Sequence, residues 1–184
     1  MRASVLSTGY FVCVAIFAFL LIPSSLYAPG EIISNHAKIY YQNENDLRLL
    51  NKRLKLGTLD YLLKYKGSDD VSIESQVAAK VDIILERVKT ILELNPENFA
   101  VEIKAVENPA DVQRIYFGKY SKKVDYPAFY ARGEKTVYVA VNKINSNILA
   151  HELAHAIIDH SFGLIIPVKI HEILSQYVDA NFEE

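Results

Sequence analysis

The apolar residues of this chain follow two patterns, one with the spacing of helices and one with the alternation of strands. Helical spacing is clearest from Val71 to Leu94, where valines, isoleucines and leucines fall on one side of a long amphipathic helix. Asn95-Pro96 is expected to stop this helix, because proline disfavours helical geometry in the residue before it. The other predicted helices are 43–66 with a break at Gly57, 110–120 with Pro109 in its first turn, 146–162, and one from Pro167 to about Phe182.

Strands are predicted between these helices, where apolar and polar residues alternate. Alternation is clearest from Phe99 to Val106, and a shorter stretch runs from Ala37 to Gln42. Two further stretches, 128–132 and 136–141, flank Gly133-Glu134 and predict a hairpin. This mixed order predicts an α+β domain, in which a small mixed sheet packs against one of the helices.

The helix before Gly163 carries the sequence His-Glu-Leu-Ala-His at residues 151–155. Ser146 or Asn147 is expected to cap its start, and Gly163 to end it. Its two histidines lie four residues apart, about 40° around a helix, so their imidazoles can meet at one point as zinc requires. The flanking residues are apolar, which predicts a helix buried nearly all round. Burying ionisable groups is costly unless they are paired. A metal with its bound water would pair with all three groups here, His151, Glu152 and His155.

A catalytic zinc usually has three protein ligands, so a third one must come from downstream. His160 lies about 140° around the helix from His155 and points away from the pair. Asp159 lies on the correct face, but one turn too far, where it suits a partner of a ligand or a surface carboxylate. His171 and Glu172 remain, and at most one of two adjacent helical residues can face the metal.

The two C-terminal helices resemble those of the gluzincin metallopeptidases, most closely the peptidase-MA-like branch. The likeness rests on the His-Glu-Leu-Ala-His sequence and on residues 169–178, Lys-Ile-His-Glu-Ile-Leu-Ser-Gln-Tyr-Val. That branch has a Glu-Gly-Leu-Ala-x-Tyr type of sequence on its second helix. The resemblance implies a zincin-like fold, a Zn²⁺ cofactor held by His151, His155 and Glu172, and Gln176 beside a zinc-bound histidine. Ile173 stands where the family has glycine.

The implied activity is hydrolysis of peptide bonds in a peptide or protein substrate. Zinc would activate a water, while Glu152 takes the proton of that water and passes it to the leaving amine. The hairpin at 128–141 could offer an edge strand to an extended peptide. An oxyanion stabiliser is also expected, and the candidates are Tyr130, Tyr138, His171 and Tyr177.

A non-catalytic envelope protein is the alternative from another class. It would use the same fold, with or without a structural zinc, as a binding module. This alternative is favoured by the short stretch after Glu172: only twelve residues follow it, which leaves little chain for a substrate-binding lobe.

The first 28 residues have the order of a secretory signal. Arg2 precedes an apolar run, Phe11 to Ile22, and small residues follow up to Ala28. Residues 10–28 nearly reach the roughly twenty that a membrane span needs, so a cleaved signal peptide and an N-terminal membrane anchor both stay open. Either one predicts an extracytoplasmic protein that is periplasmic, secreted or membrane-anchored, with residues 29–184 as a single zincin-like metallopeptidase domain.

The charge of the domain bears on its possible partners, and its cysteine content bears on disulfide bonds. Residues 29–184 carry 19 basic and 22 acidic side chains without a basic block, which argues against nucleic acid as a partner. The only cysteine, Cys13, lies in the targeting segment, so disulfides are excluded from the predicted domain.

Overall fold

The computed structural model describes residues 30–57, 63, 72–163 and 166–182. The predicted targeting segment lies outside these ranges, as does the part of the predicted helix 43–66 that follows Gly57, apart from residue 63. The strands are β1 (Gly30–Ile33), β2 (Ala37–Tyr41), β3 (Val101–Val106), β4 (Ala128–Ala131) and β5 (Thr136–Ala140). The helices are α1 (Glu44–Arg53), α2 (Ile73–Leu92), α3 (Pro109–Tyr120), α4 (Ser146–Phe162) and α5 (Val168–Asn181). None of these described helices has the length and apolar character needed to span a membrane.

The five strands form one sheet in the order β1-β2-β3-β5-β4. The two inner pairs, β2 with β3 and β3 with β5, are parallel, whereas the two outer pairs are antiparallel. The predicted mixed α+β fold is therefore confirmed. At the centre, Ile103 pairs with Ile39 on one side and Val137 on the other, and all three are buried. β4 forms one edge, where no other strand of the described residues pairs with it.

The sheet separates two hydrophobic cores, because successive side chains of a strand point to opposite faces. On one face, α1, α2 and α4 bury a large core with Val137 and Val139 of β5. On the other face, α3 covers a small core that includes Tyr138 and Phe129. The helix with the His-Glu-Leu-Ala-His sequence, α4, therefore packs on the face opposite to α3, beside the edge strand β4.

Two helices end earlier than the pattern predicts. α1 ends at Arg53, four residues before Gly57, because Leu54 takes an extended backbone and buries its side chain in the core. α2 ends at Leu92, where Glu93 adopts a left-handed conformation at φ 53°. Its backbone N–H caps carbonyls of the last turn, so the helix is already closed before the proline at 96 can act.

The predicted hairpin is confirmed, with a different turn residue. β4 and β5 pair antiparallel, and a short 3₁₀ turn over Arg132–Glu134 joins them. Lys135, rather than Gly133, has the left-handed backbone, at φ 51°. The strand β1 was not predicted, because its four residues are too few for a clear alternation.

The start of α4 corrects the predicted cap. Asn145 is the capping residue, and its side-chain oxygen accepts a hydrogen bond from the backbone N–H of Ile148 at 2.8 Å. Ser146 is unavailable for this role, since its hydroxyl donates to the carbonyl oxygen of Lys55. Asn147 lies inside the first turn of the helix. The helix ends at Phe162 with Gly163 at φ 63°, as predicted.

Candidate metal centre

α4 is buried or half-buried along its length up to Ser161, which agrees with the prediction of a helix buried nearly all round. Leu149, Leu153 and Ile157 are at most 1% exposed and face the large core. His151, Glu152 and His155 are half-buried on another side of the helix. They line a cleft of about 750 Å³ between α4, α5 and the edge strand β4. Facing this cleft leaves these ionisable groups partly accessible, but burial still shifts the pKa of Glu152 and that of His155.

Three side chains meet in the cleft at the spacing of metal ligands. His151, His155 and Glu172 each present one ligand atom, and these atoms lie within 4.8 Å of one another. His155 Nε2 is 3.7 Å from Glu172 Oε1, which is longer than a hydrogen bond. Two donors on one tetrahedral zinc lie about 3.4 Å apart, given zinc–ligand bonds of about 2.1 Å. The donor set and its spacing therefore fit a shared zinc ion.

The other nitrogen of each imidazole is held by a side chain of α5. Asp179 Oδ2 lies 2.9 Å from His151 Nδ1, and Ser175 Oγ lies 3.2 Å from His155 Nδ1. Nε2 is then the nitrogen that each ring has left for a metal, and such partners fix a ring's orientation and its tautomer. Glu172, Ser175 and Asp179 are spaced three and four apart, so one face of α5 supplies all three.

Gln176 does not fill the role that the resemblance implied. Its side chain is exposed, and among the described residues the contacts to the two rings come from Ser175 and Asp179 instead. A helix turns about 100° per residue, so Gln176 points well to one side of Ser175. This prediction is corrected.

Burial prepares His155 to act as a neutral ligand. Its pKa is lowered to about 3, mainly by desolvation and further by the neighbouring His151 and His171 rings. A metal binds the unprotonated imidazole, so protonation does not compete with binding to this ring at neutral pH.

Glu152 lies beside the three donors and is anchored by the edge strand. Its Oε2 accepts a hydrogen bond from the backbone N–H of Tyr130 at 2.8 Å. Burial raises the pKa of Glu152 to about 7, and the carboxylates of Glu172 and Asp179 add to this, whereas His151 and the Tyr130 N–H oppose it. A divalent cation at the three donors would favour the charged carboxylate and lower this pKa.

Arg132, in the turn of the hairpin, contacts the C-terminal end of α4 and the first turn of α5. Its Nε donates to Asp159, and its terminal nitrogen lies 3.0 Å from the carbonyl oxygen of Gly163 and 2.7 Å from His171 Nε2. A guanidinium only donates hydrogen bonds, so His171 accepts at Nε2 and carries its proton on Nδ1. The Tyr130 hydroxyl donates to Asp159 at 3.1 Å, and burial raises its pKa. Asp159 is thus the partner of these two residues and not one of the three grouped donors.

His171 and His160 both stay outside the group of metal donors. His171 is 6% exposed and faces Arg132, and its pKa is lowered by burial first and by Arg132 second. His160 points away, as predicted, with Nε2 at 3.1 Å from the carbonyl oxygen of Glu97.

The four candidate oxyanion stabilisers divide into two pairs. Tyr130 and His171 line the cleft. Tyr138 does not, because it lies on the α3 face and donates to Glu134 at 2.7 Å. Tyr177 is 52% exposed and lies outside the cleft lining, so it is no longer a candidate.

Arg132, Ser175 and Asp179 were not predicted as part of the site. The common helical face of Ser175, Asp179 and Glu172 was a usable signal for two of them. Nothing in the sequence pattern marks Arg132, because its contacts join it to residues 27 to 39 positions away.

No family model matches the sequence, and neither curated proteins nor solved structures give a match. A function is therefore inferred from the residues and geometry of the site.

Proposed function

We propose that this chain is a zinc-dependent peptidase with a zincin-like fold. The observation that carries the proposal is the meeting of His151, His155 and Glu172 in a cleft beside an open sheet edge. Glu172 was implied only by the resemblance to gluzincins, and it lies at the spacing that a third ligand needs. The packing of α4 on a mixed sheet supports the same assignment.

The metal would be held by His151, His155 and Glu172. Zinc supplies Lewis-acid chemistry, since it makes water a usable nucleophile at neutral pH and polarises a substrate carbonyl. Asp179 and Ser175 orient the two rings for that ion, as outer partners of metal ligands usually do.

Glu152 is the general base of the proposed reaction. It takes a proton from the attacking water and gives it to the leaving amine as the peptide bond breaks. The hydrogen bond from the Tyr130 N–H holds this carboxylate at the open edge of β4, where the substrate backbone is expected. Of the candidate oxyanion donors, His171 is the better one, because Tyr130 already donates its hydroxyl proton to Asp159.

The outer edge of β4 is the proposed docking line for the substrate backbone. Ala140 N–H donates to the Pro127 carbonyl at 2.8 Å, so Pro127 and, by alternation, Phe129 direct their backbone groups toward β5. Ala128 and Tyr130 then direct theirs outward. The Tyr130 N–H already donates to Glu152, so the groups that this edge offers to a peptide are the Ala128 N–H and the carbonyls of Ala128 and Tyr130. An extended peptide can add to such an edge through main-chain hydrogen bonds.

The proposal retains an extracytoplasmic location and attachment or export through residues 10–28. Both rest on the N-terminal sequence alone.

Cleavage of an unfolded protein such as casein tests the proposed activity. Zinc-loaded wild type should cleave it, and the Glu152→Gln variant should be about 10² to 10⁴ times slower with unchanged zinc content. Wild type stripped of zinc by a chelator should be inactive until zinc is restored. If zinc-loaded wild type cleaves nothing across a broad peptide library, the non-catalytic binding module becomes the better account.

A further inference from the structure

The cleft continues beyond the metal donors, along β4 and around the sheet edge. β4 and α4 lie side by side in the same direction, since Tyr130 meets Glu152 and Arg132 meets Asp159. The start of β4 therefore lies toward the start of α4. The cleft lining at this end consists of Tyr116, Tyr126, Pro127, Ala128, Phe129, Asn147 and Ile148.

Three of these residues form what we call the aromatic wall: Tyr116, Tyr126 and Phe129. The Tyr116 ring centroid lies 5.0 Å from that of Phe129 and 6.4 Å from that of Tyr126, in both cases edge-on. Phe129 is 5% exposed and backs the wall, whereas Tyr126 is 54% exposed and Tyr116 half-buried. The two tyrosines therefore provide the accessible ring surface.

The aromatic wall lies on the α3 side of the sheet, opposite to the metal donors. Tyr116 belongs to α3, and Phe129 is in the small core beneath that helix. His151 and His155 belong to α4, on the other face. The cleft thus reaches both faces of the sheet by passing around the unpaired edge of β4.

Charge is confined to the metal-donor end of this cleft. Its charged lining residues are Arg132, Glu152, Glu172 and Asp179, and each contacts a donor histidine, His171, Asp159 or the Tyr130 backbone. The wall end contributes aromatic rings, proline, alanine, isoleucine and one amide. That lining suits an uncharged, large apolar or aromatic side chain.

We propose that the aromatic wall selects substrates with an aromatic or large apolar side chain at one fixed position near the scissile bond. Successive side chains of an extended peptide point to opposite faces, so a peptide on the edge of β4 directs one toward α4 and the next toward α3. The first faces the metal donors and Glu152, and the second meets Tyr116 and Tyr126. This proposal deepens the proposed peptidase function and rests on it.

Peptide binding to a non-cleaving form measures this selectivity. The probe is a set of fluorescent ten-residue peptides, each with a single phenylalanine placed in turn along an alanine and glycine background. Zinc-loaded Glu152→Gln protein should bind the peptide with phenylalanine at one position about tenfold more tightly than the all-alanine peptide. Adding Tyr126→Ala should remove most of this preference. Because Tyr126 is exposed and outside the helices, its loss should leave folding intact; Tyr116→Ala is the second test.

Phe117→Ala is the matched control. Phe117 is 51% exposed on the same helix as Tyr116, but it lies outside the cleft lining, so the preference should survive its loss. Absence of a preferred position, or a preference unchanged in both tyrosine variants, overturns the aromatic wall. Cleavage by wild type separates the two proposals. Cleavage of all peptides at equal rates leaves the peptidase standing without the wall, whereas selective binding without any cleavage leaves the wall and refutes the peptidase.

Discussion

Replacing Glu152 with glutamine should stabilise the metal-free protein, by an amount that grows with pH. Glutamine keeps the size of the side chain and an oxygen that can accept from the Tyr130 N–H, but it carries no charge. In wild type the Glu152 carboxylate is desolvated and faces the carboxylates of Glu172 and Asp179, with the His151 ring as a partial compensation.

The size of the effect follows from the raised pKa. Between the ordinary pKa of 4.5 and the folded value of about 7, the folded protein keeps a proton that the unfolded chain has lost. The contribution of Glu152 to stability is therefore full below pH 4.5 and is lost as the pH rises through 7. At about 1.4 kcal/mol per pH unit, the loss is roughly 3 kcal/mol. For a domain of this size, that corresponds to about 6–12 °C in melting temperature.

Thermal unfolding of wild type and Glu152→Gln, with a chelator present, measures this difference. The variant should melt clearly higher at pH 8, and the gap should nearly close at pH 4.5. His155 titrates in both proteins, so its effect cancels in the comparison. Zinc should shrink the gap at pH 8, because a nearby cation favours the charged carboxylate. Glu97→Gln, at an exposed site away from the cleft, should differ from wild type by less than about 0.5 kcal/mol.

A gap that stays constant from pH 4.5 to 8 would refute the reasoning, because it would mean that the carboxylate is not desolvated. A variant less stable than wild type at pH 8 would refute it as well. It would show that the charged form of Glu152 is favoured by the fold even without a metal.

Three further predictions concern the residues around the proposed zinc. Glu172→Ala should strongly weaken zinc binding measured by calorimetric titration, whereas His160→Ala and His171→Ala should keep a zinc affinity much closer to wild type. A larger loss of affinity in His171→Ala than in Glu172→Ala would contradict the ligand set. Asp179→Ala should lower zinc affinity about 10- to 100-fold and Asp179→Asn less, and equal affinities in all three proteins would remove Asp179 from the site. Arg132→Met should cost about 1–3 kcal/mol in urea unfolding, because Asp159 would lose its charged partner; an unchanged midpoint would count against this link.

Local patterns were sufficient to predict most of the elements but not their order in the sheet. The helix α2 and the strand β3 have long runs of regular spacing, and the hairpin joins neighbours in sequence. β1 has only four residues with two adjacent isoleucines, so its sequence lacks the alternation that would show Ile32 buried and Ile33 70% exposed. Strand order depends on contacts between distant segments, such as Ala37 with Val101, which no local spacing encodes.

The same distinction applies to the site. His151, Glu152 and His155 could be predicted because a single helix fixes their relative positions. Glu172 required a resemblance, since its approach to His155 depends on how α4 packs against α5. The place of Tyr116 in the cleft is harder still to predict from sequence, because Tyr116 reaches the cleft only through the packing of α3 on the opposite face of the sheet.

Zinc content is the most direct test of the proposed metal centre. Elemental analysis by inductively coupled plasma mass spectrometry measures the zinc content. It is applied to protein purified without added metal, and again after zinc reconstitution and removal of excess metal. Wild type is predicted to hold one zinc per chain after reconstitution, and His155→Ala to hold almost none while remaining folded. No stoichiometric zinc in wild type under either condition, or undiminished zinc in His155→Ala, would contradict the metal centre.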